Sequence, residues 1–343
     1  TPENAEEAAA NGCARSTVKE TYEFILGDLN KAIELLANTK KTRSDKRYVS
    51  LDVAYGIRAR VHLTMHNYAD ALKDAEAALA STSSVPYSSA AVSKPTFIDI
   101  EDASWMWGIL ITDKDRVSTT GICNFPSHMG SLNYGYASVG GWRRISPKLY
   151  NQIPESDVRK GWFLDDTGVS VNLPAAAQAY ITKKGAPVYT QVKYGPMNDE
   201  WGSNNNATDV ILMRVEEMYL IKAEAQAMNN DVSGGVNTLN SFVNTYRDPS
   251  YKCTATTGEA VQEAVWHQRR IEFWGEGLAY FDIMRLNKGV NRLGCGFPKT
   301  AVFNIAAGDP VQIYSIPNKE VQYNPLLENN PLVSAPTPIP DEE

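Results

Sequence analysis

Residues 269–285 read RRIEFWGEGLAYFDIMR, a stretch with three arginines, three acids and four large aromatics. Glu272 and Glu276 stand four apart, so on a helix their carboxylates share one face with Arg269. Paired carboxylates are also what a retaining glycosidase uses as acid and nucleophile. The two roles make opposite demands. A glycosidase acid needs a raised pKa, whereas a guanidinium beside a carboxylate lowers it. With Arg269 beside the glutamates, and Phe273, Trp274, Tyr280 and Phe281 to cover them, the stretch reads as a buried ionic clasp. It would join the last long helix to the helices before it, with Gly275 and Gly277 ending that helix or admitting a neighbouring backbone. Buried charges with hydrogen-bonded partners can fix one arrangement even where they add no stability. No catalytic residue is assigned.

Working outward, 343 residues suffice for one large domain or two ordinary ones. Hydrophobic content of 43% and charged content of 21% are those of an ordinary folded chain. A net charge of −7 argues against nucleic acid as the main partner and, taken alone, favours a neutral or cationic ligand. Cys13, Cys123, Cys253 and Cys295 are widely spaced, compatible with free thiols or one or two disulfides and not with a zinc motif. His62 and His66 stand four apart but lack the acid of a HExxH site, and DDTGVSVN lacks the alternating acids of a calcium loop. GCGFPKT has the wrong glycine spacing for a phosphate cradle. No cofactor and no metal ligand is assigned.

The first third has helical periodicity. Thr17 and Glu20 form a capping box before TYEFILGDLNKAIELL, where Tyr22, Ile25, Leu29, Ala32, Ile33 and Leu36 recur at helical spacing. The segment from Leu51 breaks into two helices at His66-Asn67. The second carries Tyr68, Ala71, Ala78 and Leu79 at the spacing of a tetratricopeptide unit, in which small residues let two helices approach closely. ASWMWGILIT alternates, which predicts a strand with Trp105, Trp107, Ile109 and Ile111 on one side. VILMRVEEMYLIKAEAQAMNN predicts a helix paired with GGVNTLNSFVNTY, and a further helix begins near Thr256 with Glu259 as its capping partner. Between these lie loops in which Gly, Ser and Asn separate aromatics, and long loops of that kind are usually functional.

Four stretches, in order, resemble the SusD/RagB family of Bacteroidetes nutrient-capturing surface lipoproteins. TVKETYEFILGDLNKAIELL with the helical pair through Leu79 resembles the family's tetratricopeptide-like start, and RVEEMYLIKAEA its "RxAExyLxxAEA" helix. The opening stretch resembles "RRxELxxEGxRxxDLxR" through Arg269, Arg270, Glu272, Glu276, Gly277, Asp282 and Arg285. IPNKEVQYNPLLENNP resembles the closing "IPxxExxxNPxLxQNP" through Ile316, Pro317, Glu320, Asn324, Pro325, Asn330 and Pro331. The resemblance implies a mainly α, SusD-like fold: tetratricopeptide-like helix pairs, an irregular loop-rich face and a few short strands. It implies a single domain over residues 1–343 without the family's initial helical portion. Helical repeats and signature helix would occupy 17–81 and 209–285, a loop-rich ligand face 97–208, and a disordered tail 332–343.

The same resemblance implies non-catalytic binding of an oligosaccharide at the cell surface and delivery to a SusC-like TonB-dependent transporter. Attachment to the outer membrane would be through a lipid anchor not present in this chain; Cys13 follows Gly12 with no apolar segment before it. In the family, ligand-contacting aromatics lie on loops before a D-x-R segment, here Asp157-Val158-Arg159, and residues 120–145 occupy that place. Sugar rings pack C–H patches on aromatic faces while hydroxyls pair with Asn, Asp and Arg. NYGYASVGGWRR offers that mixture, so the expected glycan contacts are Asn133, Tyr134, Tyr136, Trp142 and Arg143, with Trp201 from KYGPMNDEWGSNNNATD. Trp162 reads as packing. Peptide capture, or a tetratricopeptide scaffold binding protein segments, are the competing readings.

Overall fold

The computed structural model describes residues 6–7, 12–39, 42–115 and 124–336. Cys123, residues 120–123 of the loop stretch and 337–343 of the tail lie outside the described residues. The chain is mostly α-helical with a few short strands. It divides into two compact units: Lys31–Ala279, and Thr1–Asn30 together with Tyr280–Glu343. The division falls within the first helix, α1 (Val18–Asn38).

In the larger unit, α2 (Leu51–Thr64) and α3 (Tyr68–Ser81) are joined by a tight turn in which His66 has a φ of 60°. Ala59, Ala71, Ala75 and Ala78 are fully buried where these helices meet, together with Val53, Leu63, Met218 and Ile221. Alanine at these positions lets the backbones approach, and ion pairs then lock them. Arg58 clamps Asp74 at 2.7 Å, and Arg60 reaches Glu217 at 2.5 Å. After the short α4 (Ala175–Lys183), α5 (Val215–Met228), α6 (Val232–Tyr246) and α7 (Gly258–Glu272) form a second layer. Leu220, Leu239, Phe242, Val261 and Val265 fill it.

Three local expectations fail for identifiable reasons. Residues 210–214 are a strand, β2 (Val210–Arg214), antiparallel to β1 (Trp105–Ile109), and the helix starts only at Val215. Val210 and Ile211 suit an extended backbone, and the ladder to β1 decides in its favour. The strand β1 does not alternate: Trp105 and Met106 are both buried, Ile109 is 45% exposed, and Trp107 donates its indole N–H to the Arg47 carbonyl. Register shifts on both sides of Trp107 account for this, since a one-residue slip exchanges the faces. The cap of α7 is Thr257, not Thr256; its hydroxyl accepts from the Ala260 N–H.

In the smaller unit, Thr17 and Glu20 make the reciprocal capping box. Asparagines of the closing motif bind backbone. Asn324 accepts from the Cys13 N–H at 3.2 Å and donates to its carbonyl at 2.7 Å. Asn329 brackets Ile316 in the same way, and Asn330 donates to the Tyr314 carbonyl. Asp282 and Arg285 of α8 (Ala279–Arg285) pair with each other at 2.8 Å.

Ala75→Leu puts extra methylenes into a contact with no room, and should lower stability in urea unfolding by about 1–3 kcal/mol. Ala80→Leu, on the exposed face of the same helix, should change stability by less than about 0.5 kcal/mol.

Candidate functional site

Two features concentrate the polar chemistry of the larger unit: a buried charge cluster and a tyrosine-bearing loop. In the first, α7 stops at Glu272 with Phe273 as its cap. Gly275 then takes a φ of 79°, and a Cβ there would lie 2.7 Å from Met129 Cε and 3.0 Å from the Tyr194 hydroxyl. The turn needs glycine on both counts. It carries Glu276 off the helix, so Glu272 and Glu276 do not share a helical face. They meet through Arg214 at the end of β2, whose guanidinium donates to Glu272 at 3.0 Å and to both oxygens of Glu276 at 2.8 and 3.0 Å.

Arg247 holds Glu272 from a second side with two bonds of 2.8 Å and reaches Glu216 at 3.1 Å. Arg159, gripped by Asp157, donates to Glu272 at 3.2 Å. Lys193 donates to Glu276 at 2.5 Å and to the carbonyls of Glu272 and Trp274. Phe97 and Trp162 lie 4.5 and 4.8 Å from its ammonium. Arg269, the expected partner of the glutamates, instead faces Glu217 at 3.8 Å. Arg270 lies over the Trp266 ring. Of the covering aromatics, Phe273 packs under Arg214, and Trp274 packs edge-on against Phe163. Tyr280 and Phe281 belong to the smaller unit, where Tyr280 donates to the Gln312 carbonyl.

Burial alone would raise the Glu272 pKa, but Arg247, Arg214 and Arg159 outweigh it and hold the carboxyl well below its ordinary value. Glu276 is likewise lowered against its burial, by Arg214 and Lys193. Burial pushes the Lys193 ammonium down to about 8, with Glu276 opposing the shift. These carboxylates are ionised and, with side chains 0% and 5% exposed, out of reach of a substrate. A glycosidase acid needs the reverse on both counts.

The loop over 124–145 is tied down at several points. The Tyr134 N–H donates to the Ser203 carbonyl at 2.7 Å, and the Gly202 N–H to the Leu132 carbonyl at 2.8 Å. The Tyr136 N–H donates to the Ser127 hydroxyl. Gly202 has a φ of 86°, and a Cβ there would meet the Tyr180 ring at 2.7 Å. This rigid base leaves Tyr134 48% and Tyr136 43% exposed. The expected contact Asn133 is buried and donates its amide to Asn206, so it supports the loop from inside and cannot meet a ligand. Trp142 and Trp201 are half-buried against Leu132, Leu164, Ala177 and Ile181 and are not a free platform. Trp162 is buried, with its indole donating to the Val92 carbonyl.

Arg143 stands over Tyr136 at 5.7 Å and donates to His128 Nδ1 at 3.3 Å; the His128 ring stacks on Tyr136 at 4.7 Å. Lys184 lies 5.8 Å from the Tyr134 ring and 5.7 Å from the Tyr180 ring. Sequence reasoning missed His128, Tyr180 and Lys184 here, and Lys193, Arg214, Arg247 and Glu216 in the clasp. Arg214 and Glu216 were visible as the start of RVEEMY; the others carry no local signal.

Elsewhere, Asp165 accepts from the backbone of Thr167 and Val169 in a tight turn. That turn borders a cleft of about 460 Å³ beside Tyr150 and Tyr189. Among the described residues, no cluster of three His, Cys, Asp or Glu is arranged to hold a metal ion, and Cys13, Cys253 and Cys295 are free thiols. No helix among them is long and apolar enough to cross a membrane.

A mostly α-helical scaffold of helix pairs, closed by this charge cluster and carrying aromatics on tied loops, is a SusD-type fold. The SusD family profile matches residues 159–332, just over half of the chain, and the chain belongs to that family. Solved structures agree on the fold. A SusD superfamily protein from Bacteroides thetaiotaomicron superposes with a TM-score of 0.76 at 22% identity, covering 97% of this chain and 70% of that one. A SusD-like carbohydrate binding protein from Bacteroides vulgatus gives 0.73 at 23% identity, covering 94% and 68%. A putative sugar binding protein from the same species gives 0.71 at 24%, covering 94% and 67%. No curated protein matches the sequence.

Glu272→Gln leaves Arg247, Arg214 and Arg159 around an amide, and should lower stability by about 3–5 kcal/mol in denaturant unfolding at neutral pH. Because the folded pKa of Glu272 and Glu276 lies below the unfolded one, their contribution is complete above the ordinary glutamate value of about 4.3 and is lost as pH falls below it. Wild-type stability measured downward from pH 7 should therefore drop below about pH 4.3. The variant, already lacking one of the two carboxylates, should show a shallower drop.

Proposed function

We propose that the protein captures an oligosaccharide or polysaccharide at the cell surface, without catalysis, and passes it to a SusC-like TonB-dependent transporter in the outer membrane. The observation that carries this reading is the solvent-facing pair Tyr134 and Tyr136, held on a pinned loop in a chain of the SusD family. Rigid phenol rings contribute contact area and a hydrogen-bonding tip at low entropic cost. Arg143 adds a fixed fork of donors for sugar hydroxyls. Trp142 and Trp201 pack against the core to which Leu132 of this loop belongs. Attachment to the outer membrane through a lipid anchor follows the same family reading.

An exposed tyrosine pair on the loop face favours sugar over the scaffold reading, in which the aromatics would be buried and the repeats would carry the ligand. The repeat side is the proposed transporter contact. There a groove of about 620 Å³ presents Leu35, Leu36, Tyr48 and Val49, and Leu35 and Tyr48 are more than half exposed.

Tryptophan fluorescence, with Trp142 and Trp201 as reporters, can be titrated with a panel of soluble polysaccharides. At least one should give saturable quenching. Tyr136→Ala should weaken that glycan's binding by roughly three- to tenfold, the worth of one aromatic contact, with an unchanged thermal melt. An unchanged affinity in both Tyr134→Ala and Tyr136→Ala would place binding elsewhere.

A further inference from the structure

We infer that the tyrosine loop takes acidic glycans, with Arg143 and Lys184 pairing with a carboxylate or sulfate on the sugar. The inference rests on the capture reading above and narrows its ligand class. Arg143 and Arg144 lie on the loop, and Lys183 and Lys184 stand at the end of α4; Arg143 is beside the Tyr136 ring, Lys184 is near the Tyr134 ring, and Arg144 donates to the Val188 carbonyl. Among the described residues none of the four has a carboxylate within 4.0 Å. The acids of the neighbouring turn, Asp199 and Glu200, make no ion pair with them. Elsewhere in the larger unit Arg58, Arg60, Arg159, Arg214 and Arg247 are each paired with a carboxylate, whereas Arg43 bonds backbone carbonyls.

The rings point the same way. Tyr136 has His128 stacked on it and Arg143 beside it, and Tyr134 has Lys184 near it. What these residues offer a ligand is therefore cationic heads rimmed by phenol hydroxyls, more than bare aromatic faces for a neutral pyranose. A guanidinium forks onto a carboxylate or sulfate, and charge-assisted bonds are about twice as strong as neutral ones. The overall charge of −7 does not oppose this at close range, because charges beyond about 8 Å are screened at physiological salt. The expectation of a neutral or cationic ligand, drawn from net charge, thus gives way locally. Lys184 also caps α4, where the helix dipole favours a cation. Arg143 caps no helix; its side-chain hydrogen bond is to His128.

Two matched pairs test the inference: polygalacturonate against galactan, and dextran sulfate against dextran, titrated calorimetrically on the whole chain. Variants are Arg143→Gln and Lys184→Gln, with Lys73→Gln on α3 as a control for general loss of charge. Binding of an acidic polymer should exceed that of its neutral partner and fall by roughly tenfold or more between about 50 and 500 mM salt. Arg143→Gln should weaken it by roughly ten- to a hundredfold, Lys184→Gln by less, and Lys73→Gln not at all. Preference for polygalacturonate identifies the carboxylate, and for dextran sulfate the sulfate. Salt-insensitive binding of only the neutral polymers overturns the inference and leaves the capture reading standing. Acidic binding indifferent to both Arg143→Gln and Lys184→Gln overturns it at this site. No binding in the matched pairs or the wider panel overturns both.

Discussion

Arg214 is the residue on which the larger unit turns. Its side chain is fully buried, and it joins Glu216 at the start of α5, Glu272 at the end of α7 and Glu276 beyond the glycine turn. Each of these carboxylates would be intolerable alone in a dry interior; the Born cost of an unpaired ion there far exceeds any one hydrogen bond. Arg159, Lys193 and Arg247 complete the balance from three other segments. The arrangement is satisfied only when all of these segments are in place. That is a constraint on specificity more than a source of net stability: few other packings of the same chain could pair so many charges.

The consequence for function is positional. Lys193 fixes the 190–195 segment against the glycine turn, and Arg159 fixes the segment from which residues 161–164 run. From those segments Leu164 and Val192 pack with Leu132 in the core beneath the tyrosine loop. The loop itself has little regular structure and depends on backbone bonds to Ser203 and Gly202 and on the internal bond from the Tyr136 N–H to the Ser127 hydroxyl. A loop anchored in this way holds Tyr134 and Tyr136 at the surface, so the proposed capture would carry little cost of ordering them. The same burial that makes the two glutamates useless as catalysts makes them useful as an anchor.

Much of the helical part was legible in the chain. The capping box of Thr17 and Glu20, the alanine spacing of α3 and the break at His66 are local patterns, and helices obey local patterns. The strand at 210–214 was not legible, because VILMR reads as well in a helix and only its pairing with β1 settles the matter. Nor was the register of β1, where the slips at Trp107 exchange the faces. For the loop, composition singled out Tyr134 and Tyr136, which are exposed, and Asn133, which is buried. Asn133 is short and polar enough to face either way, and a buried partner, Asn206, claimed it.

The sequence by itself determined the family, the helix pairs and the presence of a charged clasp around Glu272 and Glu276, because signature residues and helical periodicity act over a few positions. Only the tertiary structure decided who pairs with whom. Arg269 was the near neighbour of Glu272 in the chain, yet Arg214, Arg247 and Arg159 hold it, from 58, 25 and 113 residues away. Likewise His128 and Lys184 reach the tyrosines from separate segments. Coulomb attraction depends on distance in space and dielectric, not on separation along the chain, so the choice of partner belongs to the fold.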